Sequence, residues 1–490
     1  MALLASASIA QAQSVPSGSP LSSAPPLAAR TPASSAPLLP THSGDPMAID
    51  MAGDPLLQLA DQTAPLDLFR RIVADTIARA PASAEAEATR DEADAAIGEA
   101  KSERTPTIDL TLSSYRVLSR NFGNNPENVI EQARPNRRTD QLIAVDQLLL
   151  DGGAASARIA AAQARLKGAD FDIEGSADRT ALETIGVWYD VFTYHALTDL
   201  ATAFTQSQRE LRAMVAERIE RGASAPADMA RVDSYIANAE TRLARFRRQA
   251  QQADARFEAL TGRPPPVDLA RAPFIGATMS RDLAALRAAE APAVRSARAA
   301  ADAARRDAKA ARADMFPTVS LGLDAGRYGI YETPRDYDVR ARLTIRQRLF
   351  GGLPERAKQV EARARSTDAR AERIASDAMR DAEIAWSDVI ALEEQRTAIQ
   401  TTYIAARRSR DAIAERFRVS TGSLFDVIGA EDNYFDTAAS FVQALTELDA
   451  ARYVLLSRTG TLLPTLGLSG ATAAPEVIRD KGKRIIGPLK

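Results

Sequence analysis

Apolar and polar residues alternate one by one in two pairs of short segments, which is the pattern of β-strands with one apolar face. After Pro317, apolar residues occupy positions 319, 321, 323 and 325, and the following segment around 338–346 alternates in the same way. The segments after Pro106 and before Asp151 repeat the pattern less regularly. The sequence therefore predicts two β-hairpins, at about 107–149 and 318–349. An ordinary half-buried hairpin of a soluble protein remains an alternative, because alternation alone cannot exclude it.

After each hairpin the apolar residues change to helical spacing over about 60 residues. These stretches run from Ala154 to Glu220 and from Pro354 to Val419, and no proline interrupts either of them beyond the first turn. Apolar residues recur at steps of seven, as at Leu197, Phe204 and Leu211, which is the spacing of a coiled coil. At about 1.5 Å per residue, each helix would be a rod approaching 100 Å in length.

Shorter helices are predicted on both sides of each long one. A turn follows each long helix, and a returning helix then runs over Ala227–Leu260 or Leu424–Leu456. Helices rich in alanine and charged residues precede the strands, at Ala82–Arg104 and Ala293–Met315. The helix before the strands and the returning helix together match the long helix in length, so the two are expected to stack end to end beside it.

The two sets of elements are copies of one another. The Ala-Pro-Ala triplet around Pro81 recurs around Pro292, 211 residues later, and Trp188 recurs as Trp386, 198 residues later. Chance does not explain such matches along the chain, whereas a tandem duplication with loops of different length does. The repeats are expected to span 56–266 and 281–462, joined by a linker at 267–280.

The two ends of the chain differ in composition from the repeats. Residues 1–12 hold a short apolar run that ends in Ala10-Gln11-Ala12, which favours a signal peptide with a truncated front. Residues 13–55 are mostly Pro, Ser and Ala and are expected to be disordered, and residues 463–490 form a C-terminal tail.

The composition argues against most kinds of catalytic and metal-binding site. There are no cysteines, only two histidines, His42 and His195, and a net charge of −2, which argues against disulfides, metal–thiolate sites and nucleic-acid binding. No phosphate-binding loop and no nucleophile motif occurs, so we expect no catalytic residue, no cofactor, no metal and no enzyme activity. No stretch has the roughly 18 apolar residues of a transmembrane helix, so a spanning segment would have to be a closed β-barrel.

Two kinds of sequence string resemble the TolC-like outer-membrane efflux proteins. QLLLDGG at Gln147–Gly153 and QRLFGG at Gln347–Gly352 end the hairpins, and ERFRVSTGSLFDVIGAED at Glu415–Asp432 forms a turn between helices. With the tandem order of elements, the resemblance covers about Pro65–Leu468. It implies a mainly α fold, in which three chains form a long α-helical tunnel across the periplasm joined to a small transmembrane β-barrel in the outer membrane. Four strands per chain agree with this, since three chains supply the twelve strands of a water-filled barrel.

The resemblance also implies candidate sites at the far end of the helices, about 100 Å from the strands. Glycines there allow a close approach of another backbone, and arginines could bind carbonyls or carboxylates of a periplasmic adaptor. Pairing of these arginines with Glu220 or Glu415 of their own helix is the alternative. The candidate adaptor-docking residues are Arg218, Gly222, Arg416, Ser420 and Gly422.

Two further sets would line the channel. Asp411 lies one helical turn before Glu415, and both are candidates for an acidic aperture, although a solvated outer face is the alternative for Asp411. One strand face collects charged residues that would each cost a few kcal/mol in lipid, so they are expected to face the bore and to make it positive. These bore residues are Asp338, Arg340, Arg342, Arg346 and Arg348.

The function that this organisation favours is a passive export duct with no motor of its own. Its expected partners are two further copies of the chain, outer-membrane lipid, a membrane-fusion adaptor and an inner-membrane transporter. The string RTGTLLPTLGL at Arg458–Leu468 and the lack of a cysteine for a lipid anchor favour type I secretion with an ABC transporter. Drug efflux with a proton-driven pump is the alternative, and a structural periplasmic coiled-coil protein is the alternative of another class.

Overall fold

The fold is described for residues 53–121, 129–267, 269–332, 336–419 and 422–468 of a computed structural model. The predicted signal peptide at 1–12, His42 and nearly all of the predicted disordered segment lie outside these ranges. Asp54 and Pro55, which the sequence analysis assigned to that segment, are ordered, because Asp54 is buried and α1 begins at Pro55. Much of the predicted tail also lies outside the described residues.

Two helices of 67 and 66 residues dominate the structure, and they coincide with the predicted ones to within a residue. Among the described residues, no helix combines the length and the apolar composition that crossing a membrane would require. The elements in chain order are α1 (Pro55–Asp61), α2 (Leu66–Arg79), α3 (Pro81–Ser102), β1 (Thr107–Arg116), α4 (Val129–Ala133), β2 (Arg137–Leu150), α5 (Ala154–Glu220), α6 (Ala227–Thr261), α7 (Arg281–Ala288), α8 (Pro292–Ala313), β3 (Thr318–Arg327), β4 (Tyr337–Arg346), α9 (Leu353–Arg418), α10 (Leu424–Arg458) and α11 (Leu462–Leu466).

The strand-to-helix turn before α5 depends on a glycine pair and an aspartate. Gly152 and Gly153 adopt positive φ of 66° and 89°, which other residues rarely tolerate. A Cβ on Gly152 would lie 2.9 Å from the Cβ of Phe316, so the turn also packs closely against the second repeat. The Asp151 carboxylate accepts hydrogen bonds from the backbone N–H groups of Gly153 and Ala155, and it thereby caps the long helix.

The two predicted hairpins join into one antiparallel sheet in the order β1-β2-β3-β4. Strand β2 begins at Arg137, and it pairs with β1 on one side and β3 on the other. A bulge between Leu148 and Leu150 ends the regular pairing beside the turn into α5. Strands β1 and β4 are the two edges, and within the described chain neither has a partner on its outer side.

The helices pack side by side in one layer. In the half near the strands the order across the layer is α3, α5, α8, α9, and in the far half it is α6, α5, α10, α9. Ser176 Oγ donates to Ala82 O at 3.1 Å near the start of α3, whereas Arg212 of α5 pairs with Asp233 of α6 at 2.6 Å. Helices α3 and α6 therefore follow one another along α5, as the lengths predicted.

One edge of the layer consists of β1, α3 and α6, and the other consists of β4 and α9. Between these two edges, the repeats are joined by the pairing of β2 with β3 and by the contacts of α5 with α8 and α10. The fold is therefore an open layer with two unlike edges.

An aromatic cluster holds the middle of the layer. Trp188 is fully buried, with its ring centroid 5.3 Å from that of Phe69 and 6.2 Å from that of Phe257. Its indole N–H donates to Ala270 O at 3.0 Å, and the matching Trp386 donates to Met279 O at 2.8 Å. The duplicated tryptophans therefore both bind the linker between the repeats. Full burial of the Trp188 ring contributes roughly 1.5–3 kcal/mol, whereas Trp386 is only partly buried.

The sequence analysis missed the short helices α1, α2, α4, α7 and α11. Four of them have 5–8 residues, too few for periodicity to separate helix from loop, whereas α2 has 14 residues and could have been found by its periodicity. Leu462 and Leu466 of α11 are fully buried, so the chain remains packed beyond the end predicted for the second repeat.

One buried carboxylate makes the stability of this fold depend on pH. Burial raises the pKa of Asp178 to about 6, although Ser457 donates a hydrogen bond to the carboxylate. In the unfolded chain the pKa is about 3.9. The folded protein then binds the proton more tightly, so the free energy of unfolding should fall as pH rises through about 4 to 6.

Asp178→Asn should remove this dependence. Because the penalty for a charged Asp178 is complete only above its folded pKa, the variant should gain stability over the wild type between pH 4.5 and pH 7.5, by at most about 3 kcal/mol. Thermal unfolding of the purified protein at the two pH values measures the difference. Asp172→Asn, at an exposed position of the same helix, is the control. A difference from the wild type that does not change with pH would contradict the assignment.

Candidate functional site

Strand register places the predicted bore residues on one face of the sheet. Asp338, Arg340, Arg342 and Arg346 alternate along β4 and lie on the same face as Asp324 of β3. The opposite face carries the exposed apolar side chains of all four strands. That apolar face includes Ile108, Leu110, Leu112, Ile143, Leu321, Leu323, Val339, Leu343 and Ile345.

The polar face carries acids from the neighbouring strands as well as the arginines of β4, so its charge is mixed. Arg342 lies opposite Gly322, and its guanidinium reaches across it to Asp146 at 3.7 Å and to Asp324 at 3.8 Å. A Cβ on Gly322 would lie 3.0 Å from Asp146 Oδ1, so glycine leaves the space for this pairing. Sequence reasoning considered β4 alone, and the acids of β2 and β3 reach its arginines only through the strand pairing.

Arg348 does not belong to this face. Strand β4 ends at Arg346, so Arg348 lies in the loop that leads into α9. Its aliphatic chain approaches the backbone of Gly351, where a Cβ would be 3.4 Å from Arg348 Cδ. The strand therefore ends at Arg346, three residues before the predicted end of the hairpin.

The turn after α5 is a glycine-terminated helix end. Gly222 has φ of 71°, its N–H donates to Ile219 O, and the N–H of Ala223 donates to Arg218 O. These two bonds form a Schellman motif, which needs a residue of positive φ at this position. A Cβ on Gly222 would meet nothing within 4 Å, so the turn is open to the outside.

Arg218 joins the tips of the two repeats. Its Nη1 donates to Phe417 O at 2.6 Å, and its guanidinium lies 4.3 Å from the centre of the Phe417 ring. Its Nε also lies 3.3 Å from Ser224 Oγ within the first turn. These contacts lie within the chain, and they use part of the hydrogen-bonding capacity that the sequence analysis offered to an adaptor.

The second turn presents a small groove. Arg416 and Gly422 line a cavity of about 300 Å³ together with Phe425, while Ser420 lies outside the described residues. A Cβ on Gly422 would lie 2.8 Å from the backbone nitrogen of Phe417, so glycine is required by close backbone contact within the turn. Gly222 and Gly422 therefore have different structural roles.

The two aperture candidates have different surroundings. Glu415 accepts two hydrogen bonds from Arg418, at 2.7 and 2.8 Å, which hold its pKa below the ordinary value. Asp411 is fully buried against Arg410, whose guanidinium stacks 4.3 Å from the centre of the Tyr434 ring. Asp411 therefore lies on neither a solvated face nor a bore-lining one, because it pairs inside the helix packing.

A second buried ion pair ties the N-terminal segment to the second repeat. The Asp54 carboxylate caps α1 through the N–H of Leu56 at 2.9 Å, pairs with Arg407 and accepts the Tyr403 hydroxyl at 2.8 Å. Burial raises the pKa of Tyr403 well above its ordinary value, so the hydroxyl remains protonated and donates. Sequence reasoning missed this cluster, because Asp54 follows a segment whose composition indicates disorder.

No group of three or more His, Cys, Asp or Glu side chains could hold a metal ion within the part of the chain that the structure describes. The charged groups at the tip and along the sheet are paired mostly with one another. Such an arrangement can bind partners or line a passage.

Comparison with known proteins places these features in context. The profile of the outer membrane efflux protein family matches residues 72–263 and 283–461. A curated relative, the outer membrane efflux protein BepC of Brucella suis biovar 1 (strain 1330), is 23% identical over 353 residues, which cover 69% of this chain and 77% of BepC. The two matched segments of the family profile correspond to the two repeats.

Solved structures share the fold at low sequence identity. The outer membrane protein VceC of Vibrio cholerae superposes with a TM-score of 0.70 at 16% identity, over 82% of this chain and 96% of VceC. The open state of the MtrE outer membrane channel of Neisseria gonorrhoeae superposes with a TM-score of 0.67 at 16% identity, over 80% of this chain and 89% of MtrE. These likenesses confirm the predicted fold class.

Asp54→Ala should destabilise the protein strongly. Removal of one partner of a buried ion pair leaves the other charge without its counter-ion, at a cost of about 3–5 kcal/mol. The expected result is a lower midpoint of thermal unfolding in detergent. Asp61→Ala, at the exposed end of the same short helix, is the matched control and should unfold like the wild type. Equal midpoints for the Asp54 variant and its control would refute this role.

Proposed function

This chain belongs to the outer membrane efflux protein family, and we propose that three copies of it form the passive outer-membrane duct of a tripartite export system. The observation that carries the proposal is the sheet with one apolar and one polar face, whose two edges are open and which continues into helices of 67 and 66 residues. A helix of that length spans about 100 Å, enough to extend deep into the periplasm.

The open sheet edges support assembly with further copies. Strands β1 and β4 carry backbone N–H and C=O groups that lipid cannot satisfy, so they need strand partners. Four strands do not close a barrel, and three copies provide twelve, which leaves room for water. Exposed apolar residues such as Leu110 (67%) and Leu343 (63%) would then face lipid, and Arg340 and Arg342 the bore.

The tip supports contact with an adaptor. Gly222 is open to the outside, and Arg416 and Gly422 line a groove at the same end of the molecule. An inner-membrane transporter would supply the energy through that adaptor, since the chain has no nucleotide-binding motif.

In our proposal the channel exports proteins by type I secretion, and drug efflux is the alternative. The string at Arg458–Leu468 favours secretion. The neighbouring genes distinguish the two: a gene for a peptide-exporting ATPase indicates secretion, and a gene for a large multi-spanning pump indicates efflux.

Extraction of the protein from membranes tests whether it forms a membrane duct at all. A monodisperse monomer obtained without detergent would contradict it and favour a structural coiled-coil protein.

Reversal of charge on the polar sheet face should change ion selectivity. The double variant Arg340→Glu and Arg342→Glu removes the counter-charges of Asp338, Asp146 and Asp324, so the bore becomes acidic and should prefer cations. Reversal potentials of single channels in planar bilayers under a salt gradient measure the shift. Arg116→Glu, on the other face of β1, is the control. Unchanged selectivity in the double variant would show that these arginines lie outside the conduction path.

A bulky side chain in the turn after α5 should block export and leave the assembly of the three copies intact. Ala223→Trp adds a large side chain to the exposed turn without altering the positive φ of Gly222. Gly222→Asn is the control, because asparagine tolerates this backbone region and adds little volume. Export by cells and trimer content on native gels are measured together. Normal export by the tryptophan variant would contradict docking of an adaptor at this turn. Gly422→Ala, in contrast, should disturb the fold of the turn after α9, because the added Cβ would lie 2.8 Å from the backbone nitrogen of Phe417.

A further inference from the structure

The arginines on the apolar face of the sheet all lie at one end of it. They are Arg116, Arg137 and Arg327, and each is exposed. Arg116 ends β1, Arg137 begins β2 and Arg327 ends β3, so all three lie at the end of the sheet farthest from the long helices. The other arginines of the strands, including Arg340 and Arg342, belong to the polar face.

Strand pairing fixes the face on which these arginines lie. Residues that pair directly across strands lie on the same side of a sheet, and so do residues two apart along one strand. Arg116 pairs with Arg137, and four residues earlier on β1 the same face carries Leu112, opposite Gln141. Gln141 pairs in turn with Arg327. The arginines therefore continue the apolar face beyond its apolar part.

The residues of this face change in character from the helices toward the far end. One row across the four strands is apolar and consists of Leu110, Ile143, Ala325 and Val339. The next row includes Tyr337, which is 78% exposed. Ser114 and Thr139 follow, with their hydroxyls 3.1 Å apart, and Arg116 and Arg137 form the last row. An apolar band bordered by an aromatic residue and then by polar groups is typical of a barrel surface at a lipid interface.

The positive charge at this end has little compensation. The acidic residues of the four strands all lie on the polar face; they are Asp109, Asp140, Asp146, Asp324 and Asp338. Arg116 forms no ion pair with any residue that the structure describes. Glu332, in the loop between β3 and β4, lies 3.9 Å from Nε of Arg137, whose side chain is nevertheless 77% exposed.

The pairing of Arg116 with Arg137 favours an anion between them. Side chains that are directly opposite in an antiparallel pair have Cβ atoms about 4.5–5.5 Å apart, and like charges at that spacing destabilise the sheet. A bound anion removes the repulsion. The planar guanidinium donates two parallel hydrogen bonds to phosphate oxygens, so two arginines at this spacing can hold one phosphate group from both sides.

The height of the pair agrees with a lipid head group. Arg116 follows Ile108 by eight residues, which is about 27 Å along an extended strand. In a barrel whose strands tilt by about 40°, Arg116 would lie about 20 Å above Ile108, near the upper border of an apolar band roughly 25 Å tall. That border is where the head groups of the outer leaflet begin.

We propose that Arg116 and Arg137 bind the phosphate of a lipid in the outer leaflet, with Arg327 beside them. The ligand is a glycolipid that carries phosphate on its sugar head group, and its acyl chains would cover Leu110 and Leu112 below. The inference rests on the duct proposed above, in which this face of the sheet meets lipid. The bound lipid neutralises the arginine pair and holds the two strands of the first hairpin together at their outer end.

Removal of the two charges tests the site. Arg116→Gln with Arg137→Gln should weaken the binding of lipid A to the detergent-purified protein about tenfold, because the charged hydrogen bonds to phosphate are lost. Titration followed by native mass spectrometry measures the Kd. Arg209→Gln with Arg212→Gln takes the same charge from exposed positions of α5 and should bind lipid A like the wild type. Equal affinity of the first double variant and the wild type would overturn the site.

Two further probes show which part of the lipid is recognised. Lipid A without its phosphates should bind the wild type as weakly as phosphorylated lipid A binds the glutamine variant. Undiminished binding would mean that apolar contact alone holds the lipid, and it would overturn the role of the arginines. Inorganic phosphate at the same concentrations should not compete, because it lacks the acyl chains. Competition at these concentrations would indicate a site for the free ion and overturn the lipid as its occupant.

A conservative variant separates charge from geometry. Arg116→Lys with Arg137→Lys keeps both charges but loses the planar fork, so the Kd for lipid A should rise about threefold. This variant also decides the question if the glutamine variant does not assemble. An unchanged Kd in an assembled lysine variant would contradict recognition of phosphate by paired guanidinium groups.

The lipid site and the duct can fail separately. Wild-type channels that conduct ions but bind phosphorylated and dephosphorylated lipid A equally would overturn the site and leave the duct in place. A wild-type protein that is a monodisperse monomer without detergent would overturn both. A preference for phosphorylated lipid A that disappears in the glutamine variant would support the site, whatever the channel exports.

Discussion

The backbone hydrogen-bonding groups at the two edges of the sheet are the constraint on which the rest of this structure depends. Strands β1 and β4 each expose a row of N–H and C=O groups, and in a lipid surrounding such groups would have no water to satisfy them. A four-stranded sheet cannot remove its edges by curling. In the duct proposed above, these groups would pair with the edge strands of neighbouring copies, and the helical layer has the same two unlike edges.

Because of the duplication, the chain carries two versions of the same packing surfaces. The β2–β3 pairing and the α5–α8 packing join the repeats inside the chain, and each has an equivalent at the open edges. The same unit thus makes one contact internally and would make the other with a neighbour. Trp188 and Trp386 are a second example of one contact made twice, because their indole N–H groups hydrogen-bond the linker from both repeats.

Charged residues have three distinct environments in this fold. Along the sheet they pair across strands, as Arg342 does with Asp146 and Asp324. In the far half of the helical layer they are buried with aromatic partners, as with Asp54 and Arg407. Along the open edges of the helical layer many of them are exposed, as Glu92 of α3 and Arg370 of α9 are.

The sequence by itself determined the architecture of each repeat. The period-two strands, the long uninterrupted helices and the glycine turns are local patterns, so Ala154–Glu220 could be predicted to the residue. The repeat offsets and the turn strings also identified the family. Periodicity indicates which face of an element is apolar, because that depends only on neighbours along the chain.

Only the tertiary structure decided which charges meet. Asp411 looked like a surface residue in its mixed-charge helix, yet it is buried, because Arg410 folds back onto it beneath Tyr434. The charged face of the sheet looked positive from β4 alone, and strand pairing brought acids from β2 and β3 to it. Asp54 lay at the end of a segment of disordered composition, and a partner more than 300 residues away orders it. Electrostatic partners are set by distance in space, which a one-dimensional pattern does not contain.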